Sequence, residues 1–344
     1  MDGLKSRIVS AHSECMSPAS IESPPMGDRR SEVARVMAPK VSVAVSLYNK
    51  AAYIEDTLRS ALAQSFSDIE IVVVDDGSTD DGAERVARLN DTRLVLIRQA
   101  NTGAAAARNR ALANAKAPFV AFLDADDIWL ADHLLHLTAL AEQFPHATLL
   151  GNRFVQTCGT ETPPVSQGTV EYRELEDYFA ECVFSQEPFF TSSCMVRRDR
   201  ALELGGFPVG EFCGEDLALW IKLAAADRVA VSGYVGCCYR RHPGSLSFQP
   251  FYRNASDISM SVLDELLVQN PDWPARRRYN IREFYCRIAL AHCLDCLIAG
   301  EMPQARRFLK LSAQTEALRS RWRKAKLLAL TPKPVRNLVL SLRS

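Results

Sequence analysis

The sequence predicts an α/β protein built on a mostly parallel sheet, with a helical region after it. Two observations carry this expectation. From about residue 41 to 156, short β-branched apolar runs alternate with stretches of helical periodicity, the pattern of βαβ units. From about 255 onward the strand pattern stops and the chain reads as helix.

The elements follow in order. VSVAVSL (41–47) is an apolar run suited to a strand buried on both faces. AAYIEDTLRSALAQ (51–64) places Ile54, Leu58, Ala61 and Leu62 on one face and predicts a helix. IEIVVVDD (69–76) is a second strand, 80–89 a second helix and RLVLIRQ (93–99) a third strand. TGAAAARNRALANA (102–115) is helical by propensity, PFVAFLD (118–124) a fourth strand, and Leu130 to Phe144 a further helix. TLLGNRFVQ (148–156) is strand-like. Residues 158–170 read as a loop, followed by a helix near 173–180, a strand near 191–197, the helix EDLALWIKLAAA (215–226) and the strand-like YVGCCYRRH (234–242). IREFYCRIALAHCLDCLIAG (281–300) and PQARRFLKLSAQ (303–314) read as a helical pair turning at Gly300.

Composition narrows the class. The 344 residues suffice for one large domain and a smaller one. Acidic and basic residues balance at 41 each, so no global charge points to nucleic acid. The ten cysteines form no zinc or disulfide framework, since no second C-x-x-C accompanies Cys293–Cys296; reduced, buried thiols in the cytoplasm are expected. The N-terminus lacks the apolar core of a secretory signal, and 1–39 reads as a disordered extension. No run of about 20 apolar residues is long enough to span a bilayer.

Ligands of parallel sheets bind outside the carboxyl ends of the strands. Here those ends carry SLYNK, DDGSTD and DADD, so three polar clusters are expected at one sheet edge. DADD crowds Asp124, Asp126 and Asp127 together, and like charges that close raise one another's pKa. A helix N-cap near Trp129 explains one of the three carboxylates; a divalent cation, Mg²⁺ or Mn²⁺, among them explains all. In DDGSTD, Gly77 with Ser78 or Thr79 reads as a turn and cap, which leaves Asp75 and Asp76 for a base or a ribose hydroxyl. In NTGAAAARN, Gly103 at a helix start offers backbone to an anion, and Arg108 lies where it can face a diphosphate.

Taken together these segments resemble the nucleotide-sugar domain of family-two inverting glycosyltransferases of the GT-A type. SSCMVRRDRALELGGF (192–207), GEDLALWIKL (214–223) and RRHPGSLS (240–247) extend the resemblance, in the family's order, over roughly 40–250. It implies a Rossmann-like three-layer sandwich, with a nucleotide-sugar half at 40–150 and an acceptor half at 151–250. A helical region at 251–315 and a basic amphipathic tail at 316–344 follow. Residue by residue, it implies that Ser46, Tyr48, Asp75 and Asp76 hold base and ribose, with Asp76 the preferred uracil partner. Asp124 and Asp126 match the D-x-D positions at ribose and metal-bridged diphosphate. Asp126 is the leading ligand for Mn²⁺ or Mg²⁺, with Asp127 orienting it from behind. Asp216, of the Glu215–Asp216 pair, matches the catalytic base. His242 and Ser245 match a late loop that reaches metal or diphosphate. Two departures stand out: Ser46–Leu47 replaces the usual Pro-Thr or Pro-Ser, and Ala218 replaces a common carboxylate.

The function so implied is metal-dependent transfer of a sugar from a nucleotide sugar, a UDP-sugar, to a glycan or polyprenyl-linked glycan. One rival is a nucleotidyltransferase, against which the missing glycine loop after the first strand counts. Another is a non-catalytic nucleotide-sugar scaffold, against which Asp126 and Asp216 count. The tail 317–344 interleaves Arg and Lys with Leu, Val and Trp322, and Pro332 and Pro334 interrupt it. It reads either as an interfacial helix on the inner face of the cytoplasmic membrane or as a solvated helix packed on the body.

Overall fold

Residues 38–158, 168–184, 188–210, 214–242 and 258–332 are described by the structure, a computed structural model. Residues 1–37 of the extension expected at 1–39, Ser245 in the late loop, and the tail from 333 lie outside the described residues.

The first seven elements alternate as expected: β1 (Val41–Leu47), α1 (Ala51–Leu62), β2 (Ile69–Asp76), α2 (Gly82–Arg88), β3 (Leu94–Gln99), α3 (Ala104–Asn114) and β4 (Phe119–Asp124). A short β5 (Ile128–Trp129), α4 (His133–Gln143), a long β6 (Ala147–Cys158), β7 (Tyr172–Glu174) and α5 (Tyr178–Phe184) come next. A 3₁₀ turn at Thr191–Ser193 leads into β8 (Cys194–Arg197), α6 (Arg198–Glu203), α7 (Glu215–Ala226) and β9 (Arg228–Arg241). The chain ends in α8 (Ile258–Gln269), α9 (Ala275–Ala299), α10 (Met302–Leu311) and α11 (Arg319–Leu330).

The strands form one sheet in the order β3-β2-β1-β4-β8-β6-β9-β5, with β7 on β9. Its first four strands are all parallel. β6 and β9 also run parallel, whereas β8 is antiparallel to both β4 and β6. β1 shows why the early strands read as unbroken apolar runs. Val41, Val43 and Val45 enter the core under α1, α2 and α4, while Ala44 enters the core under α3 and α7. Side chains alternate across a strand, so both faces are covered and nearly every position is apolar.

The later helices share the second of these cores. Leu219, Met260, Phe284, Phe308 and Leu328 belong to one buried cluster with Val72 and Phe122. Phe122 on β4 meets Phe207 edge-on at 5.1 Å and Trp220 of α7 at 5.8 Å. Such aromatic pairs add about 0.5–1.5 kcal/mol each beyond area burial, and this one ties the start of α7 to the strand that ends in Asp124. Gly300, at φ 86°, closes α9 in the left-handed conformation that glycine adopts without a Cβ penalty. Among the described residues no helix is long and apolar enough to cross a membrane.

Two expected boundaries shift. The chain after Asp127 pairs as β5 with β9 before α4 begins at His133, because Ile128 and Trp129 find partners in Cys238 and Cys237. The helix expected near 173–180 is a strand, β7, followed by α5, because Tyr172–Glu174 add to the edge of β9.

Candidate active site

Strand register decides what meets. Ser46 stands opposite Asp124 on β4, and Leu47 opposite Asp75 on β2. The loops after β1, β2 and β4 therefore leave the sheet side by side. The first two are laced together: Asn49 Oδ1 accepts from Thr79 N at 2.8 Å, and Asn49 N donates to Ser78 Oγ at 3.1 Å. The lacing leaves Tyr48 projecting, with 47% of its surface exposed. Gly77, at φ 74°, packs so tightly that a Cβ there would sit 2.8 Å from Asn101 N.

The Asp75–Asp76 pair divides its work. Asp76 accepts at Oδ1 from Gln99 Nε2 (2.7 Å) and Thr102 N (2.9 Å), and at Oδ2 from Gly103 N (2.8 Å). Both its oxygens are thus committed to the β3–α3 loop, which leaves Asp75 the less engaged of the pair. Asp75 accepts one short-range bond, from Ser78 N at 3.0 Å. The Gly103 amide, expected to face an anion, is spent on Asp76.

The DADD carboxylates also have separate partners. Arg108, expected to face a diphosphate, instead donates to Asp124 Oδ1 at 2.8 Å and to Glu215 Oε1 at 3.0 Å. Burial opposes its charge, but Asp124, Glu215 and Asp216 outweigh that and hold its pKa above the ordinary value. Asp124 is consequently a poorer metal ligand than its D-x-D position implied. Glu215 is the counter-ion of Arg108 rather than a base; burial first, then the charge of Asp216, raise its pKa against the pull of Arg108.

Asp126 points elsewhere. Its Oδ2 lies 2.9 Å from His242 Nε2 and is in contact with Lys50 Nζ, which stands 3.3 Å from the same imidazole nitrogen. Burial works against the carboxylate's charge, but Lys50 and then His242 prevail and lower its pKa. The imidazole is stacked on Tyr53 at 4.3 Å between ring centroids.

The Asp127 carboxylate has partners of its own. It is fully buried, accepting from Ser192 Oγ at 2.6 Å and from Arg240 N at 3.0 Å. Burial and the neighbouring Asp124 and Asp126 push its pKa well above the carboxylate range. Arg240 in turn donates Nε to the Asp126 carbonyl and Nη2 to Thr57 Oγ1 at 3.0 Å. Asp127 therefore orients Asp126 through backbone, by way of Arg240.

The 3₁₀ turn joins the two halves of the site. Ser192 bonds Asp127 and also accepts from Asp124 N at 3.0 Å. Its neighbour Thr191 donates Oγ1 to Asp216 Oδ2 at 2.7 Å. With the Arg108 bridge, this turn brings the D-x-D segment and the acidic start of α7 into one site. Thr191, Ser192, Arg240 and Lys50 were missed by sequence reasoning. Lys50 alone carried a signal, since it follows Tyr48 by two residues.

A divalent cation fits part of this donor set. Asp126 Oδ2 and His242 Nε2 converge, and a carboxylate with an imidazole suits Mn²⁺ better than Mg²⁺. No group of three metal-ligating side chains occurs among the described residues. Substrate phosphates and water would have to complete the shell, as they typically do for such ions. Cys194 and Cys237 are buried and not in disulfides, and desolvation raises the pKa of both, so neither is an activated nucleophile.

The comparisons with known proteins agree with this geometry. Residues 42–205 match the family model "Glycosyl transferase family 2". The chain is 31% identical over 224 residues to the Escherichia coli UDP-Glc:alpha-D-GlcNAc-diphosphoundecaprenol beta-1,3-glucosyltransferase WfaP, covering 61% of this chain and 81% of that protein. It is 44% identical over 99 residues to the putative teichuronic acid biosynthesis glycosyltransferase TuaG of Bacillus subtilis, 28% of this chain and 39% of that one. In fold it is similar to S. aureus TarS 1-349 in complex with UDP-GlcNAc, with TM-score 0.64, 22% identity, and 79% and 81% of the two chains covered. It is also similar to the Pyrobaculum calidifontis mannosyltransferase PcManGT in complex with GDP-Man and Mn2+, with TM-score 0.56, 22% identity, and 88% and 84% covered. A matching family model and a relative of which four-fifths is spanned, on a GT-A-type sheet whose acidic strand ends converge, establish that the chain belongs to glycosyl transferase family 2 and is a glycosyltransferase.

Proposed function

We propose that the enzyme transfers a sugar from a UDP-sugar to a hydroxyl of a glycan or polyprenyl-linked glycan, inverting the anomeric centre in one displacement. The observation that carries this reading is the junction of two acidic sites: Asp126 with His242 on one side, and Asp216, held by Thr191, on the other. Exposed Tyr48 and nearby Ser46 and Asp75 form the surface for base and ribose. WfaP, named for a UDP-sugar donor and a diphosphoundecaprenol acceptor, supports that choice of donor and acceptor class.

Asp126 and His242 would hold the divalent cation, Mn²⁺ by donor type. When bound, it would neutralise charge developing on the leaving diphosphate as a Lewis acid. Asp216 takes the proton of the acceptor hydroxyl as that oxygen attacks the anomeric carbon from the far side. Thr191 donates to Oδ2 of Asp216 and the Leu217 amide to Oδ1, and together they fix the orientation of the carboxylate at the start of α7. Arg108 holds Asp124 and Glu215 in place without itself reacting.

A second surface supports peripheral membrane contact. Neither α10 nor α11 contains an acidic residue. On α11, Arg321, Arg323, Lys324 and Lys326 face outward beside Leu327 and Leu330, which are 68% and 74% exposed. Basic side chains flanking exposed leucines suit an anionic lipid surface.

Calorimetric titration of UDP and of GDP, with Mn²⁺ and then with EDTA, tests the donor half of the reading. UDP binding that needs the metal and exceeds GDP binding is expected. Equal or metal-independent binding of both nucleotides would overturn it. A panel of UDP-sugars with a polyprenyl-diphosphate-linked acceptor then identifies the sugar transferred.

A further inference from the structure

Lys50 stands at the N-cap of α1, two residues after Tyr48. Its ammonium contacts the Asp126 oxygen that also lies 2.9 Å from His242 Nε2. These are the two atoms the proposed cation seat offers, and the inference rests on that reading. The chain's own cation is thus bonded to the oxygen a divalent ion would need. Arg108 plays a comparable part at Asp124, but it is buried and locked into a second carboxylate, Glu215. Lys50 has 21% of its side chain exposed, a flexible four-carbon stem and a compact charge with rotatable donors. Its contacts in the seat are these two groups, Asp126 and His242.

We propose that Lys50 is an exchangeable counter-ion of the metal seat. Without donor it neutralises Asp126 and opposes entry of a bare divalent cation by like-charge repulsion. With donor it leaves Asp126 for the diphosphate, whose negative charge attracts the ammonium and the metal together. The consequence is that metal and nucleotide bind as a pair. The free enzyme holds neither Mn²⁺ nor Mg²⁺ tightly, and the donor brings its own ion into the site.

The test is calorimetric titration of Mn²⁺ alone, and of UDP with Mn²⁺ present, into wild type, Lys50→Met, Lys50→Arg and Asp126→Asn. Lys50→Met should bind Mn²⁺ without nucleotide about tenfold tighter than wild type, and UDP with Mn²⁺ about tenfold more weakly, because one close charge interaction is removed from each balance. Lys50→Arg keeps the positive charge and should bind Mn²⁺ alone as weakly as wild type. Should Lys50→Met fail to fold, Lys50→Gln carries the same expectation with a donor to Asp126 retained. Unchanged or weaker Mn²⁺ binding by the neutral variants, beside intact Asp126-dependent binding of UDP with Mn²⁺ by wild type, overturns the counter-ion and leaves the seat standing. Loss of any difference between wild type and Asp126→Asn overturns the seat, and the counter-ion with it.

Discussion

Two acidic pairs lie at the ends of β2 and β4, on either side of β1, and they are neutralised in opposite ways. At the end of β2, Asp76 is held chiefly by backbone amides and neutral side chains of the β3–α3 loop. At the end of β4, Asp124 and Asp126 are held by the cations Arg108 and Lys50. A carboxylate bonded to fixed amides is part of the scaffold, since releasing it would undo several hydrogen bonds that tie the β3–α3 loop to the end of β2. A carboxylate paired with a side-chain cation can exchange that partner for a ligand. The difference separates acids built into the scaffold from Asp126, whose cation Lys50 is partly exposed and can exchange.

Substitutions can break that comparison. The largest effect is expected at Asp216, the acid held by the Thr191 hydroxyl and the Leu217 amide at the start of α7. Asp216→Asn should lower kcat by about 10³-fold, the usual worth of a general base, while UDP affinity stays near wild type. Normal turnover in that variant would remove Asp216 from the mechanism. Asp126→Asn comes next, with a loss of about 100-fold in metal-dependent turnover and a Tm within about 2 °C of wild type. Asp76→Ala should do the reverse. Losing an acceptor for two backbone amides costs about 2 kcal/mol or more, so Tm falls by several degrees. Turnover per folded molecule at low temperature should change less than in Asp126→Asn. If Asp76→Ala keeps its stability and loses nucleotide binding, the two pairs do not differ as described.

How much of this was legible in sequence follows from how far apart the partners lie. β1 to β4 could be read directly, because strands buried on both faces are nearly all apolar. The span of α7 and the turn at Gly300 were also legible, from local periodicity and a left-handed glycine. β5 was not, since two residues become a strand only by meeting Cys237 and Cys238, more than a hundred positions later. The site divides along the same line. Acidic clusters at strand ends were visible, and the resemblance named Asp126, Asp216 and His242. Which cation faces which acid was not visible. Arg108 reaches Glu215 across 107 residues, and Lys50 reaches His242 across 192. Nor does anything in DDGSTD reveal that Gln99, Thr102 and Gly103 fold back on Asp76.

His133 sharpens the comparison as a third case, a titratable group buried with no opposite charge beside it. It is fully buried between α4 and the sheet, stacked on Trp129 at 4.6 Å, with its Nε2 unpartnered among the described residues. Its Nδ1 faces Asn152 Nδ2 at 3.2 Å, and His136 is the nearby charge that bears on it. Burial, and then His136, depress its pKa from 6.5 to about 3. Above pH 6.5 the ring is neutral whether the chain is folded or not, and its contribution is fully present. As pH falls below 6.5 the unfolded chain takes up a proton that the folded one refuses, so stability is lost progressively down to about pH 3. At pH 5.5 the loss from this residue is about 1 kcal/mol. His133→Leu, similar in volume and uncharged at every pH, should flatten the acid limb of the Tm profile between pH 6.5 and 4 and leave kcat at pH 8 unchanged. An acid limb of wild-type steepness in that variant would mean that the ring is charged within the fold, with an anionic partner brought to its buried nitrogen.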